Sequence, residues 1–475
     1  MLVWFVIAYL VLSIAIGIAA AMRVHSARDF IEAGRTLPFY VVTATVFATW
    51  FGAETVLGIT STFIKEGLHG IVADPFGSSL CLVFVGLFFA VKLYRMDLLT
   101  IGDYYRMRFD EAAEVLVSLC IVISYLGWLS AQIVVIGLVF DVVTGGAVST
   151  QEGIVIGAAV VLVYTLWGGM FSVAWTNFVQ MIVIVAGLLY IAVLVGDKAG
   201  GVGTVVAHAQ SAGKLDFWPK PEAREVLAFI GAGITMMLGS IPQQDVFQRI
   251  NSARTERIAA YGSVLGGVLY FAFAFIPIFI AYSASLIDPK MVASLIDTDH
   301  QKILPTLILE HMPLFAQIMF FGALLSAVMS TASGTLLAPS VTFTENILKK
   351  FIHREMTDFQ FLWTMRAVVA CFAAGVTVFA LNSESTIYQM VVGAYKITLV
   401  AAFVPLVAGL YWPRATRQGA LWAIVGGLVS WLALEHFNPD GLWPPQLAGV
   451  LISGAGMVLG SLAPQWYGGA VRRSA

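Results

Sequence analysis

Apolar runs of about 20 residues, each bounded by charged or turn residues, recur from one end of the chain to the other, and that length is what a helix needs to cross a lipid bilayer. The pattern predicts thirteen helices, at residues 2–22, 37–60, 68–91, 113–142, 152–170, 174–196, 226–248, 259–283, 313–345, 362–381, 387–411, 419–436 and 446–463. The first run is not a secretory leader, because no basic segment precedes it and its nearest cation, Arg23, follows it. It is expected to stay as a membrane helix. No linker or low-complexity segment separates domains, so residues 1–475 read as a single membrane unit.

Composition agrees with the pattern. Of 475 residues 59% are hydrophobic and 11% charged, well under the roughly 25% charge of soluble domains. A soluble enzyme is excluded, and a net charge of −2 supplies no basic face for nucleic acid. Cys81, Cys120 and Cys371 are scattered through apolar runs, which excludes a disulfide framework or zinc site and leaves packing as their expected role. Charge also orients the chain. Of the 26 Lys and Arg, the seven residues Lys65, Lys198, Lys214, Lys220, Arg224, Lys290 and Lys302 fall on one side and Lys396 lies within a helix, leaving eighteen for the other side. The positive-inside bias then puts the amino terminus outside and the carboxyl terminus in the cytoplasm of a multi-pass cell (inner or plasma) membrane protein.

Polar positions inside the apolar runs mark candidate chemistry. Backbone groups left unpaired in hydrocarbon are costly, so an interrupted helix is tolerated where it lines a cavity. The second helix reads Ala48-Thr49-Trp50-Phe51-Gly52-Ala53-Glu54-Thr55. If it unwinds at Gly52, the carbonyls of Ala48 and Phe51 are free for a cation and a half-helix N-terminus faces the site. The alternative is a glycine that only permits close packing. In the ninth helix Ser326, Ser330 and Ser333 share a face, either as hard oxygen ligands for an alkali cation or as small residues in a packing seam. Glu54, Asp74, Asp245 and Lys396 are the ionisable groups deep inside runs. Asp245 stands one turn before Arg249, as an i,i+4 pair would. Lys396 is either a structural partner for Glu54 or Asp74, or a fixed cation that meets a substrate carboxylate. Trp50, beside the expected break, is placed to close over a ligand or to cradle an ammonium group.

Three ordered motifs make the chain similar to the sodium/solute symporter family, whose members carry sugars, proline, choline, sialic acid, iodide and monocarboxylates. Residues 164–180, YTLWGGMFSVAWTNFVQ, resemble the family's Y-T-x-x-G-G…V…T-D-x-x-Q signature. Gln244-Asp245-Val246-Phe247-Gln248-Arg249 resembles its Q-x-x-x-Q-R stretch, and Ala327-Val328-Met329-Ser330-Thr331 its sodium-binding helix. The resemblance covers most of the chain. It implies an all-α, leucine-transporter-like fold of two inverted five-helix repeats, residues 37–196 and 226–411, with one extra helix before them and two after. It also implies Na+ as coupling ion, held by the carbonyls of Ala48, Phe51 and Ala327 and the hydroxyls of Ser330 and Thr331, so that ion occupancy biases alternating access.

Two departures from the family pattern bear on stoichiometry. Asn177 replaces the signature's Asp, and Gly334 stands where a second serine would complete an additional sodium site, so one sodium per cycle is expected. For the solute, Ala48-Thr49-Trp50 and residues 237–243, MLGSIPQ, resemble the choline-transporter branch, in which Trp50 and Trp128 would match cage aromatics. Ser78 and Gln243 replace two other aromatics of that cage, and Lys396 stands where the branch has Asp. A fixed cation there would repel a quaternary ammonium, so a zwitterion or small carboxylate fits a pocket of Trp50, Glu54, Ser78, Trp128, Gln243 and Lys396 at least as well.

The expected function is therefore sodium-driven symport of a small organic solute: an amino acid, a quaternary amine or a monocarboxylate. The alternatives are a proton-coupled carrier titrating through Glu54 or Asp74, and a membrane sensor derived from a symporter. With about a dozen residues after the last helix, a signalling domain is expected, for the sensor alternative, to come from a partner protein. An enzyme is not expected, since no His/Glu metal pair or Ser/His arrangement lies within the helices. No nucleic acid or obligatory protein partner is implied.

Overall fold

The computed structural model describes residues 2–22, 24, 26–352 and 356–466. The expected cytoplasmic cations Arg23, Arg354, Arg472 and Arg473 lie outside the described residues. Helices dominate: α1 Leu2–Ala21, a bent pair α2a Phe39–Trp50 and α2b Glu54–Glu66, α3 Leu68–Arg95, α4 Glu111–Thr144 and α5 Thr150–Lys198. A second bent pair, α6a Ala223–Gly239 and α6b Gln244–Ser252, is followed by α7 Glu256–Ile287, α8 Leu314–Phe351, α9 Asp358–Asn382, α10 Ile387–Tyr411, α11 Arg417–Phe437 and α12 Pro445–Leu462. Among the described residues no β-strand forms, only one isolated bridge between Leu37 and Ala253. Ten helices are long and apolar enough to cross a membrane, or twelve with the bent pairs, and the shorter apolar helix Thr150–Val163 adds one further segment.

Helix starts follow local chemistry. Ser149, Thr357 and Thr386 each open a helix with a capping box, and Asp110 accepts a hydrogen bond from the Ala113 amide at the head of α4. The two expected spans, 152–170 and 174–196, are both present as the arms of α5, which kinks at Gly169 (φ 47°, ψ −141°) rather than at residues 171–173. Gly169 belongs to the Y-T-x-x-G-G motif. A side-chain carbon there would lie 2.3 Å from the Phe30 carbonyl oxygen, so the motif marks a backbone crossing that only glycine permits. A further correction concerns residues 226–248, expected as a continuous helix, where the chain bends by 42° between α6a and α6b.

The core lies around α4 and α8, where 72% of each apolar window is buried, against 22% for α11 and 28% for α1. Every residue from Phe320 to Thr342 is buried, which small side chains allow by letting neighbouring backbones approach closely. Of the cysteines, Cys81 and Cys120 are buried, whereas Cys371 is exposed and does not pack.

The described ion pairs of Lys and Arg include residues of both groups that charge counting separated, and Lys396–Glu435, which belongs to neither. In the larger group Arg28 and Arg35 meet Asp97, Arg95 meets Glu256 at 2.6 Å, and Arg417 meets Asp110 at 2.6 Å. In the smaller, Lys302 lies 3.6 Å from Asp141 and Lys198 donates to the His311 carbonyl at 2.7 Å. Partial burial would raise the Asp97 carboxyl, but Arg28 and Arg35 outweigh it and hold this group below its usual range.

Candidate functional site at two helix breaks

The first break lies where the sequence places it. Phe51 (φ −91°, ψ 72°) ends α2a, and α2b sets off at 51° to it. The Ala53 amide, at the head of α2b, donates to Oε1 of Gln132 on α4 at 2.8 Å. Gln132 Nε2 donates to Oε2 of Glu54 at 2.8 Å, while the Trp128 indole N–H donates to Oε1 of Glu54 at 3.0 Å. One amide side chain thus satisfies backbone at the break and clamps the carboxylate beside it.

On the other side of the break stands α8. Ser330 Oγ lies 2.6 Å from the Ala48 carbonyl oxygen and 2.7 Å from that of Ala327, and Thr331 Oγ1 lies 3.1 Å from the Ala327 oxygen. A side-chain carbon on Gly52 would sit 2.6 Å from Thr331 Oγ1 and 2.7 Å from both Gln132 Oε1 and Glu54 Oε2. The absent side chain therefore leaves a niche in which oxygens of α2b, α4 and α8 gather. The structure brings together Ala48, Ala327, Ser330 and Thr331, with Phe51 at the turn itself. Of the serine face, Ser326 does not join this cluster; it bonds Tyr9 and the Gly322 carbonyl.

An aromatic cluster adjoins the niche. Ring centroids of Trp50 and Trp128 are 5.8 Å apart, those of Trp128 and Tyr395 5.4 Å, and Trp50 stacks on Tyr395 at 6.0 Å. The Trp50 indole N–H and the Tyr395 hydroxyl are buried with no hydrogen-bond partner, as is Oδ2 of Asp74. Ser78 joins through Asp74: its hydroxyl donates to Asp74 Oδ1 at 2.6 Å, as does that of Tyr270 at 2.5 Å, and Tyr270 also lies 3.0 Å from the Thr55 hydroxyl.

Gln243 sits at the second break, donating to Ser124 at 3.0 Å and Thr398 at 3.3 Å. Beside Ser124, Tyr125 stacks on Trp128 at 5.9 Å and donates to Asp245 Oδ1 at 2.5 Å. Lys396 is not in the cluster and partners neither Glu54 nor Asp74. Its ammonium group pairs with Glu435 of α11 at 2.8 Å, and Glu435 in turn accepts from Trp431. Successive helix positions differ by about 100°, so with Tyr395 turned inward Lys396 has to turn away.

The expected Asp245–Arg249 pair forms at 3.6 Å, fully buried, and holds more than a helix end. Arg249 also donates to the Thr45 carbonyl at 3.3 Å and to the Thr49 hydroxyl, linking α6b to α2a. Its Nη2 lies 2.6 Å from where a side-chain carbon of Gly334 would be. Asn177 donates to Thr49 at 2.9 Å and Thr45 at 3.1 Å, a neutral interaction as expected.

Sequence reasoning missed Gln132, Tyr270 and Thr398, and gave Tyr395 no role. Gln132 had a signal, as the one amide side chain in the expected span 113–142. Tyr270 also had a signal, as a hydroxyl-bearing aromatic near the middle of the expected span 259–283 rather than at its ends.

The model of the sodium:solute symporter family matches residues 30–427. High affinity choline transporter 1 of Homo sapiens is 28% identical over 450 residues, covering 89% of this chain and 75% of that protein. The sodium/proline symporter of Escherichia coli (strain K12) is 26% identical over 489 aligned residues, covering 97% and 93%. Among solved structures, a Na+-coupled sialic acid symporter in a substrate-bound outward-open state superposes with a TM-score of 0.84 at 17% identity over 97% of both chains, and MhsT in complex with L-phenylalanine with 0.55 at 15% identity over 89% and 97%. These two likenesses establish the fold. The chain belongs to the sodium:solute symporter family: it is a multi-pass membrane transporter, not an enzyme, and it carries a small solute together with sodium.

Proposed function

We propose that the coupling ion binds where α2a ends against α8, held by the carbonyls of Ala48, Phe51 and Ala327 and the hydroxyls of Ser330 and Thr331. The observation that carries this reading is the 2.6 Å approach of the Ser330 hydroxyl to the Ala48 carbonyl, which puts oxygens of a broken helix and of its buried neighbour in direct contact. A sodium ion suits such neutral, hard oxygens, because they bind it without trapping it. Bound there it ties α2a to α8, so its arrival favours whichever state brings the two helices together. A single sodium per cycle follows from Arg249, whose guanidinium already supplies a cation at Gly334 and Asn177.

The solute is a small amine-bearing molecule, a quaternary ammonium or a zwitterion, lodged against Trp50, Trp128 and Tyr395 with Glu54 as its counter-charge. Aromatic faces beside a carboxylate attract an ammonium group through cation–π and Coulomb terms, and the unpartnered Tyr395 hydroxyl adds an acceptor. With Lys396 paired to Glu435, the repulsion that disfavoured a quaternary ammonium falls away. Ser78 is linked to Trp50 through Asp74, Tyr270 and Thr55, and Gln243 braces the neighbouring helices through Ser124 and Thr398. The amino terminus is outside and the carboxyl terminus cytoplasmic, a reading supported by the charge bias. Residues 37–196 and 226–411 form the inverted repeats, a division supported by the bent helix near the start of each.

Uptake of labelled choline, betaine and proline into proteoliposomes under imposed sodium or proton gradients tests this. Sodium-driven accumulation is expected for one of the three, and loss of the sodium dependence in a Ser330→Ala, Thr331→Ala double variant. Accumulation driven by protons alone, or a double variant that keeps wild-type sodium dependence, overturns the assignment.

A further inference from the structure

Between α7 and α8 the chain runs through two short helices, Pro289–Leu295 and Ile303–His311. Ile303, Leu304, Leu307 and Ile308 are buried, so the second of them lays its apolar face on the protein, and Lys302 at its head lies 3.6 Å from Asp141 near the end of α4. The two ends of this connection meet. Asp288, directly after α7, places Oδ2 3.0 Å from Nε2 of His311, just before α8. The other oxygen of Asp288 accepts the Met291 amide at 3.0 Å, which holds the carboxylate in that orientation. Glu310 joins them: one ligand atom from each of Asp288, Glu310 and His311 lies within 4.8 Å of the other two. The side chains of Asp288 and His311 are 26% and 24% exposed and Glu310 is more open still, so solvent reaches all three. Among the described residues the Glu310 side chain forms no ion pair and no hydrogen bond.

We propose that Asp288, Glu310 and His311 form a site for a divalent transition-metal ion of the zinc type, separate from both helix breaks, that clasps the two ends of the α7–α8 connection. Two carboxylates carry two negative charges and a neutral imidazole none, so a divalent ion neutralises the set. The imidazole nitrogen favours zinc-like ions over magnesium and calcium, which take oxygen ligands. With its proton on Nδ1, His311 presents the Nε2 lone pair to the metal in place of the hydrogen bond to Asp288. Ligand atoms bonded at about 2.0–2.2 Å to one ion lie within about 4.4 Å of each other, so the exposed Glu310 side chain has only a small swing to make. Three protein ligands leave a further position for water, as in an open site. The ammonium group of Lys198 is engaged by the His311 carbonyl at 2.7 Å, and among the described residues it pairs with neither carboxylate. An ion held here fastens the end of α7 to the approach to α8, and with it the connection that rests on α4 through Lys302.

The test is zinc binding to purified, tag-free, full-length protein that has been stripped with a chelator, read by competition with a fluorescent zinc indicator and by thermal melting. Wild type is expected to take up a single zinc ion and to melt at a higher temperature in its presence, because an ion that binds only the folded state stabilises it. His311→Ala is expected to weaken zinc binding by about tenfold or more and to remove the melting shift. Asp288→Asn, which keeps an oxygen for the Met291 amide, should weaken it likewise. If His311→Ala does not fold, as judged by melting without metal, Glu310→Gln carries the test: that exposed side chain holds nothing in the fold, and a several-fold loss of zinc affinity is expected. His69→Gln removes the other described contact of a His with a carboxylate, to Glu225 at 4.0 Å, and should leave zinc binding unchanged. A wild type that binds zinc no more tightly than His311→Ala, or than Glu310→Gln where that variant carries the test, overturns the proposal. So does a loss seen in His69→Gln instead, or a melting shift that magnesium or calcium reproduces in full.

Discussion

The two broken helices solve the same backbone problem in different ways. In α6 the amides at the break are satisfied locally, since Pro242 brings no N–H and the Ile241 and Gln243 amides donate to Leu238 and Ser240 at 3.2 Å, while the Gly239 carbonyl accepts from Thr398 of α10 at 2.6 Å. In α2 there is no proline, and the Ala53 amide depends on Gln132, 79 positions away on α4. A break whose amides close in local turns needs its neighbours less to hold its shape. One closed by a distant side chain reports on the position of that side chain, and here the same side chain also holds Glu54. The first break is thus built to sense its surroundings and the second to hold a bend.

The largest effect is expected at Arg249, which ties the second break to the helix of the first. Arg249→Leu leaves Asp245 charged, buried and unpaired, and a cost of about 3–5 kcal/mol is expected for removing one partner of such a pair. Thermal melting in detergent reads this directly, and a melting point near wild type would show that the two breaks are not mechanically joined.

Next comes the contrast between the breaks. Gln132→Leu orphans the Ala53 amide and unclamps Glu54, costing about 1–3 kcal/mol and abolishing sodium-driven uptake. Gln243→Leu removes hydrogen bonds to Ser124 and Thr398 but leaves the local turns intact, so about 1 kcal/mol and a milder transport defect are expected. Equal defects from the two substitutions would erase the distinction drawn here. The smallest effect belongs to Lys396→Met. Its pair with Glu435 is partly exposed and worth about 0–1 kcal/mol, so stability and uptake should stay near wild type. An inactive Lys396→Met would return this residue to the transport site.

How far the sequence could be read varies between these regions for physical reasons. The first break was legible because Gly52 and Glu54 are anomalous in an apolar run, and an intramembrane charge demands a partner. The second was not, although Gly239 and Pro242 lie in it, because both residues also occur in continuous membrane helices. Ser330 and Thr331 were legible as oxygens on one helix, but their contact with Ala48 joins segments 282 residues apart and has no local signature. Lys396 stood out for its charge, yet a single step of helix rotation decides that Tyr395 faces the cluster and Lys396 faces Glu435.

What the sequence by itself determined is the kind of molecule: a membrane protein of some thirteen apolar segments, bearing the motifs of its family and a strong charge bias between its two faces. Those properties are sums over local windows, each governed by the cost of moving side chains from water into lipid, and they hold whatever the arrangement of the helices. The tertiary structure alone decided which polar atoms meet. Lipid is as apolar as the helix faces it bathes, so hydrophobicity does not select one rotation or crossing over another. That choice rests on close packing of small residues and on pairing the few buried polar groups, and it is what sets Glu54 between Thr331 and Trp128.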